Sequence, residues 1–144
     1  MAELTAREIA SFLESRTRQG ILLRSNADGT ANGTPVWFDW DGTAIRVFTG
    51  ATSPKVRAIE RDPRVSMLVI NDLDEPPMWV RFDGNALIDR DADAQALATD
   101  VLAPRYWDTT DPKIRETLEQ WRAAPADFFV VIVLEPNRVR SSVG

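Results

Sequence analysis

A mainly β fold, an antiparallel sheet or barrel with peripheral helices, is what this sequence predicts, and three observations carry it. Between Ile21 and Asp89 apolar and polar residues alternate in short runs separated by turn signals, the period-two mark of half-buried strands. A single short helical pattern interrupts that block, so the strands lack the regular helical crossovers that a parallel βαβ sheet requires. Gly84 lies inside the run Trp79–Asp89, where a missing side chain marks a bulge or sharp bend, as a curling sheet needs.

The elements follow in order. Thr5 and Glu8 have capping-box spacing, Leu4 and Ile9 have staple spacing, and Ile9, Phe12 and Leu13 share one stripe. These predict a helix over 5–16, closed by Gly20. Ile21–Leu23 begins a first strand that ends in the turn-rich Ser25–Gly29. Thr34–Asp39 is a second strand, with Val36 and Phe38 on one face and Trp37 on the other. Asp41-Gly42 is a hairpin turn into Ala44–Thr49, which points Ile45 and Val47 inward and Phe48 outward.

After a small-residue loop, Ser53 is an N-cap and Pro54 the first helical residue of a short helix that buries Val56 and Ile59. Asp62-Pro63 ends it, because the residue before proline is pushed out of the α region. Val65–Ile70 is nearly all apolar and reads as a central strand; Asn71–Pro77 is an acidic loop. Trp79–Asp89 sets Val80 and Phe82 on one face, with Trp79, Arg81 and Asp83 on the other. A helix over Asp91–Leu102 is expected to end at Pro104, followed by an aromatic loop, Arg105-Tyr106-Trp107. Asp111-Pro112 opens a third helix to about Arg122. Phe128–Leu134 is the last long strand, and Arg138–Ser142 a short terminal one after a Pro136-Asn137 turn. With no repeat or linker, residues 1–144 read as one domain.

Composition removes several function classes. The net charge of −5 argues against a general binder of nucleic acid or of membrane surfaces, which would show a basic face. With neither cysteine nor histidine, a thiol nucleophile, a Ser-His-Asp triad, a zinc finger and the usual transition-metal sites are all excluded. Asp72, Asp74 and Glu75 read as a solvated acidic loop before they read as a hard-metal site. No signal peptide is visible and the longest apolar run is too short to span a bilayer, so a cytoplasmic location is expected. An enzyme with so thin an acid–base inventory needs a cofactor to carry its reaction.

The stretch from Phe48 to Val69 carries the sharpest chemistry. A helix start exposes free N–H groups and partial positive charge. Hydroxyls at Thr49, Thr52 and Ser53 with the cation of Lys55 would make a phosphate cradle there. A capped helix on a connecting loop, with a solvated lysine, accounts for the same residues.

Thr49, Ser53 and Lys55 in T-x-x-x-S-x-K, then Ile59 and the D-P-R-V-S run Asp62–Ser66, resemble the pyridoxamine 5′-phosphate oxidase-like superfamily of flavin-binding proteins. The D-G…T-P-V-W-F-D-W-D-G segment (Asp28 to Gly42) is similar to the branch that includes reductases dependent on the deazaflavin F420. Trp79–Gly84 and Pro136–Val139 fit the same family, and together the matches span roughly residues 18–90 and the C-terminal strand. The resemblance implies a six-stranded antiparallel Greek-key split barrel of the FMN-binding type, homodimeric, with FMN or alternatively F420 at the dimer interface. It implies an oxidoreductase moving hydride between cofactor and a small organic substrate, or else a non-catalytic protein of the same fold that stores or sequesters a ligand. Carried over onto this chain, the cofactor-binding residues are Val36, Trp37, Phe48, Thr49, Thr52, Ser53, Lys55, Arg57 and Trp79. No side chain is assigned as catalytic.

This chain departs from the oxidases in places. Thr34–Trp40 lacks their phosphate-gripping arginine and lysine, and no histidine is present for their substrate, so vitamin B6 oxidation is not expected. Ala58 stands where the F420 branch often has asparagine. Arg57 could equally pair with Asp62, and Arg64 and Arg81 are further candidate contacts. Trp37 and Trp79 could stack on the cofactor or form dimer-interface core. Tyr106 and Trp107 could lid a pocket or form a hydrophobic cluster.

Overall fold

The computed structural model describes residues 3–143. In chain order the elements are α1 (Ala6–Glu14), β1 (Gly20–Ser25), β2 (Ala31–Val36), β3 (Asp39–Trp40), β4 (Ile45–Gly50), α2 (Pro54–Arg61), β5 (Arg64–Ile70) and β6 (Met78–Asp89). Then come α3 (Ala94–Ala96), a π-helical turn (Leu97–Leu102), α4 (Ala103–Tyr106), α5 (Pro112–Ala123) and β7 (Phe129–Val143). The expected caps are present: Thr5 and Glu8 form a reciprocal capping box, and Ser53 and Asp111 each accept a backbone N–H of the turn they open.

All strand pairs are antiparallel, in the order β2-β1-β5-β6-β7-β4-β3. The two outer strands, β2 and β3, are consecutive in the chain and separated by Trp37 and Phe38 alone. Val36 and Asp39 therefore lie at most about 11 Å apart. The sheet must curl until its edges meet, which makes it the split barrel that the sequence implied. The strand expected over Thr34–Asp39 is thus two strands, and the count is seven rather than six. One half pairs with β1 and the other with β4, a partner switch decided by residues far away in sequence.

Two further expectations change. The terminal strand is continuous through Pro136-Asn137: Asp83 faces Arg138 while Gly84 faces Pro136, so Asn137 is the extra residue of a bulge, not a turn. Proline has no N–H to lose from the ladder at such a point. Gly84 is required on the facing strand, because a Cβ there would lie 2.7 Å from the Glu135 carbonyl oxygen. Nor does Pro104 end its helix. Ahead of it the chain widens into a π turn, with the Ala103 N–H reaching back to the Ala98 carbonyl, and the helical path continues to Tyr106. The widened turn accommodates the ring and the missing donor, which would break a regular α-helix.

The core has two parts. Inside the barrel, Leu22, Val36, Phe38, Ile45, Val47, Met67, Val80 and Phe82 pack with Phe12 of α1 and Ile59 of α2. Outside it, α3 to α5 cover the outer face of β4 and β7, burying Leu97, Leu102, Phe129, Val131 and Val133 with Trp37, Phe48, Tyr106 and Trp121 against them. Among the described residues no helix is long and apolar enough to cross a membrane.

Candidate cofactor site

The loop between β4 and α2 is a tight backbone turn. Ser53 N–H donates to the Gly50 carbonyl, and Ser53 Oγ accepts the Lys55 N–H at 3.2 Å, leaving Thr49, Thr52 and Lys55 grouped around the helix start. Lys55 is half-buried, and burial lowers its pKa below the ordinary 10.5, with the positive charge of Arg24 lowering it further. Among the described residues neither Lys55 nor Arg24 takes part in an ion pair. Lys55, at the positive end of the α2 dipole, within the field of Arg24 and without a carboxylate partner among the described residues, fits a phosphate.

Arg24 was missed by sequence reasoning, which searched the second strand for a basic partner to Lys55. The first strand supplies it instead. On β1 Arg24 has the parity of Gly20 and Leu22, one pair beyond the last β1–β5 contact at Leu23–Ser66. It also borders an open groove of about 570 Å³, lined further by Ser66, Asp83, Asn85 and Asn137. The only sequence signal was a charged residue closing an otherwise apolar strand.

The other expected residues divide. Thr49, Thr52, Ser53 and Lys55 are together on the loop, and Arg57 projects into solvent one turn on, while Asp62 pairs with Arg64 instead of Arg57. Val36 is 7% exposed and committed to the barrel core, so its side chain cannot line a cofactor. Trp37 points out of the barrel as expected, but its ring stacks on Tyr106 and meets Trp107 edge-on at 4.6 Å. Phe48 packs on Trp121 and Phe129 in the same cluster. Tyr106 and Trp107 therefore form a hydrophobic cluster with Trp37 and no open lid.

Trp79 is half-buried on the outer sheet face opposite Ile70. The strand β6 carries it to the far end from α2, whose following strand pairs Arg64 with Asn85. Trp79 is six steps along the strand from that position, roughly 20 Å. Trp79 therefore lies toward the opposite end of β6 from the strand start that follows α2.

Two other charged groups are structural. The carboxylates of Asp72, Asp74 and Glu75 converge within 4.8 Å, but arginines occupy them. Arg16 bridges Asp72 and Asp74, and the buried Arg18 forks onto both oxygens of Glu75 at 2.6 and 2.8 Å. Asp83 collects Arg81, Arg138 and the Ser66 hydroxyl, which together outweigh burial and hold its pKa at about 2.

The split barrel defines a class, and comparison with known families names it. The family model described as pyridoxamine 5′-phosphate oxidase matches residues 5–142. The chain belongs to that family. No curated protein sequence matches it. Among solved structures it resembles the conserved hypothetical protein Rv2991 of Mycobacterium tuberculosis at 28% identity and TM-score 0.76, covering 97% of this chain and 85% of that one. It resembles an F420 reductase at 29% identity and TM-score 0.67, covering 90% of this chain and 94% of the other. An FAD-binding protein of Mesorhizobium loti, at 20% identity and TM-score 0.64 over 97% and 93% of the two chains, shares the fold.

Proposed function

We propose that the protein is an oxidoreductase that binds FMN, or alternatively F420, and moves hydride between it and a small organic substrate. The observation that carries this reading is the half-buried Lys55, beside Arg24 and without a counter-ion, on the capped start of α2. Burying a cation without a partner costs stability, and a ligand phosphate removes that cost. The F420 reductase at 29% identity supports the deazaflavin alternative.

The bound flavin or deazaflavin supplies the hydride chemistry. The chain's own groups do the rest. Ser53 and Thr52 offer hydroxyls to phosphate oxygens, Lys55 and Arg24 neutralise them, and the hydrogen-bonded β4–α2 turn fixes the spacing of Thr52, Ser53 and Lys55. With no histidine or cysteine anywhere in the chain, the protein acts by binding and orienting.

The reading includes a homodimer. The outer face of β1, β5 and β6 carries Ile21 opposite Leu68 and Ile70 opposite Trp79, and none of these belongs to either core. Ile70 is 50% exposed, and Leu73 on the adjoining loop is fully exposed. Apolar rows of this kind suit a self-complementary interface.

The test is a visible spectrum of the purified protein titrated separately with FMN and F420, then assayed against quinones, enones and tetrapyrroles. Micromolar binding of one cofactor with turnover is expected. Binding without turnover leaves a storage protein, and binding of neither sinks the reading.

A further inference from the structure

Phe128 is the one phenylalanine of this chain that the fold leaves exposed. Phe12, Phe38, Phe82 and Phe129 are buried and Phe48 is half-buried, whereas Phe128 is 52% exposed. Its backbone is nonetheless hydrogen-bonded on both sides and its ring abuts one neighbour. Its N–H donates to the Pro125 carbonyl, its own carbonyl accepts the Ala51 N–H at 2.9 Å, and its ring stands edge-on to Phe129 at 4.9 Å and 90°. Gln95 holds the connection before it, donating its side-chain amide to the carbonyls of Trp121 and Ala124.

The contact with Ala51 places the Phe128 backbone beside the β4–α2 loop. Ala51 lies between Thr49 and Ser53, and Gly50 faces Phe129 in the ladder, so Phe128 flanks the same turn that presents Lys55. Ala51 and Lys55 are four residues apart, at most about 14 Å along the chain. That bound keeps Phe128's neighbour Ala51 within reach of a ligand that carries a phosphate at one end and a planar ring a short linker away. An apolar ring left half in water forgoes the free energy of burial, and stacking by a ligand ring recovers it.

We propose that Phe128 is the ring platform of the site: resting on the function proposed above, its exposed face stacks on the planar ring of the ligand whose phosphate Lys55 and Arg24 hold. Phe128 is then a positioning residue, and it sets a requirement for an aromatic ring where the cradle by itself accepts any phosphate.

The experiment compares FMN with ribitol 5-phosphate, which keeps the phosphate and lacks the ring, on the wild-type protein and on Phe128→Ala and Phe128→Trp. Flavin fluorescence reads FMN binding, and displacement of FMN reads ribitol 5-phosphate. Phe128→Ala is expected to weaken FMN about tenfold and leave ribitol 5-phosphate unchanged. Phe128→Trp is expected to restore FMN affinity and to quench the bound flavin more strongly than wild type. Unchanged FMN affinity in Phe128→Ala overturns the platform while leaving the proposed cofactor site standing. Equal losses for both ligands also overturn it, because the substitution would then act through the Ala51 loop. Where the wild type binds F420 and not FMN, the same variants are titrated with F420, and unchanged F420 affinity in Phe128→Ala overturns the platform. Wild-type protein that binds neither removes the cofactor reading itself, and the platform with it.

Discussion

The ring of Trp37 lies 5.0 Å from that of Tyr106 and within 8° of parallel. Trp37 is at the crossover where the chain passes from β2 to β3, so this stack clamps the helical layer onto the seam that closes the barrel. The Tyr106 hydroxyl completes the clamp. It donates to the Arg18 carbonyl and accepts the Phe38 N–H at 3.3 Å.

Tyr106→Phe keeps the stack and leaves those two backbone groups without their partner. Loss of a hydrogen bond from a part-buried group costs about 1–3 kcal/mol. Urea unfolding is expected to show a lower midpoint with an unchanged slope; an unchanged midpoint would mean that water replaces the hydroxyl at no cost.

Gly84→Ala tests the bulge. Its Cβ would meet two backbone atoms, the Glu135 carbonyl oxygen at 2.7 Å and Pro136 Cα at 3.1 Å, and neither can rotate away. Overpacking of this kind costs about 1–3 kcal/mol, read as a lower Tm. A Tm equal to wild type would show that the long strands slide freely at the bulge.

The Arg18–Glu75 fork predicts an acid limb of stability. The Arg18 guanidinium, with the Asp72 N–H, holds the Glu75 pKa at about 2, below its ordinary 4.5. The unfolded chain therefore binds the proton more readily. The stabilisation is complete above about pH 4.5 and is lost as pH falls through the folded value. Glu75→Gln is expected to lower stability at pH 7 and to flatten the pH dependence of Tm between about 5 and 2. A mutant curve parallel to wild type across that window would place the acid limb elsewhere.

Much of this was legible because it is local. The capping box at Thr5, the Ser53-Pro54 helix start and the inward parity of Val80 and Phe82 follow from neighbours a few residues apart. What was not legible depends on distant partners. Val36 and Phe38 share a face in any strand, yet only the separate pairings with β1 and β4 split that strand in two. Pro104 ends a regular helix, and a π turn upstream excuses it. Pro136-Asn137 reads as a turn until Gly84 on the neighbouring strand makes room for a bulge. Arg24 joins Lys55 through sheet order, which no spacing along the chain reveals.

Lys55 separates function from stability. Burial and Arg24 both lower its pKa, so the folded state binds that proton less readily than the unfolded chain. The free protein is thus expected to gain stability as pH rises through the lowered pKa toward 10.5. Lys55→Met keeps the apolar stem and removes the charge. It is expected to raise the Tm of the free protein and to weaken cofactor binding by roughly 10- to 100-fold, the loss of one charged contact to phosphate. In wild type, affinity is expected to fall with pH at a value below 10.5, since only the protonated amine holds an anion. A variant that loses stability and keeps its affinity would return Lys55 to a structural role.

Trp79 makes the sharpest demand on the proposed homodimer. It stands roughly 20 Å along β6 from the position that faces the strand start after α2, and the proposed site would take its Trp79 from a second copy. In the proposed homodimer, with a two-fold axis across the Ile21–Leu68 and Ile70–Trp79 face, Trp79 of that copy would complete the first copy's cradle. Two measurements follow. Ile70→Asp places a charge on a side chain that is already 50% exposed, so the fold is expected to persist while sedimentation shows a monomer that no longer binds cofactor. Lys55→Met and Trp79→Ala protomers, each weak alone, are then unfolded together and refolded. Every mixed dimer holds one site with Lys55 from the Trp79→Ala chain and Trp79 from the Lys55→Met chain, so a fraction of sites is expected to regain wild-type affinity. If the mixture binds no better than its components, Trp79 and Lys55 do not share a site, and the tryptophan serves the interface alone.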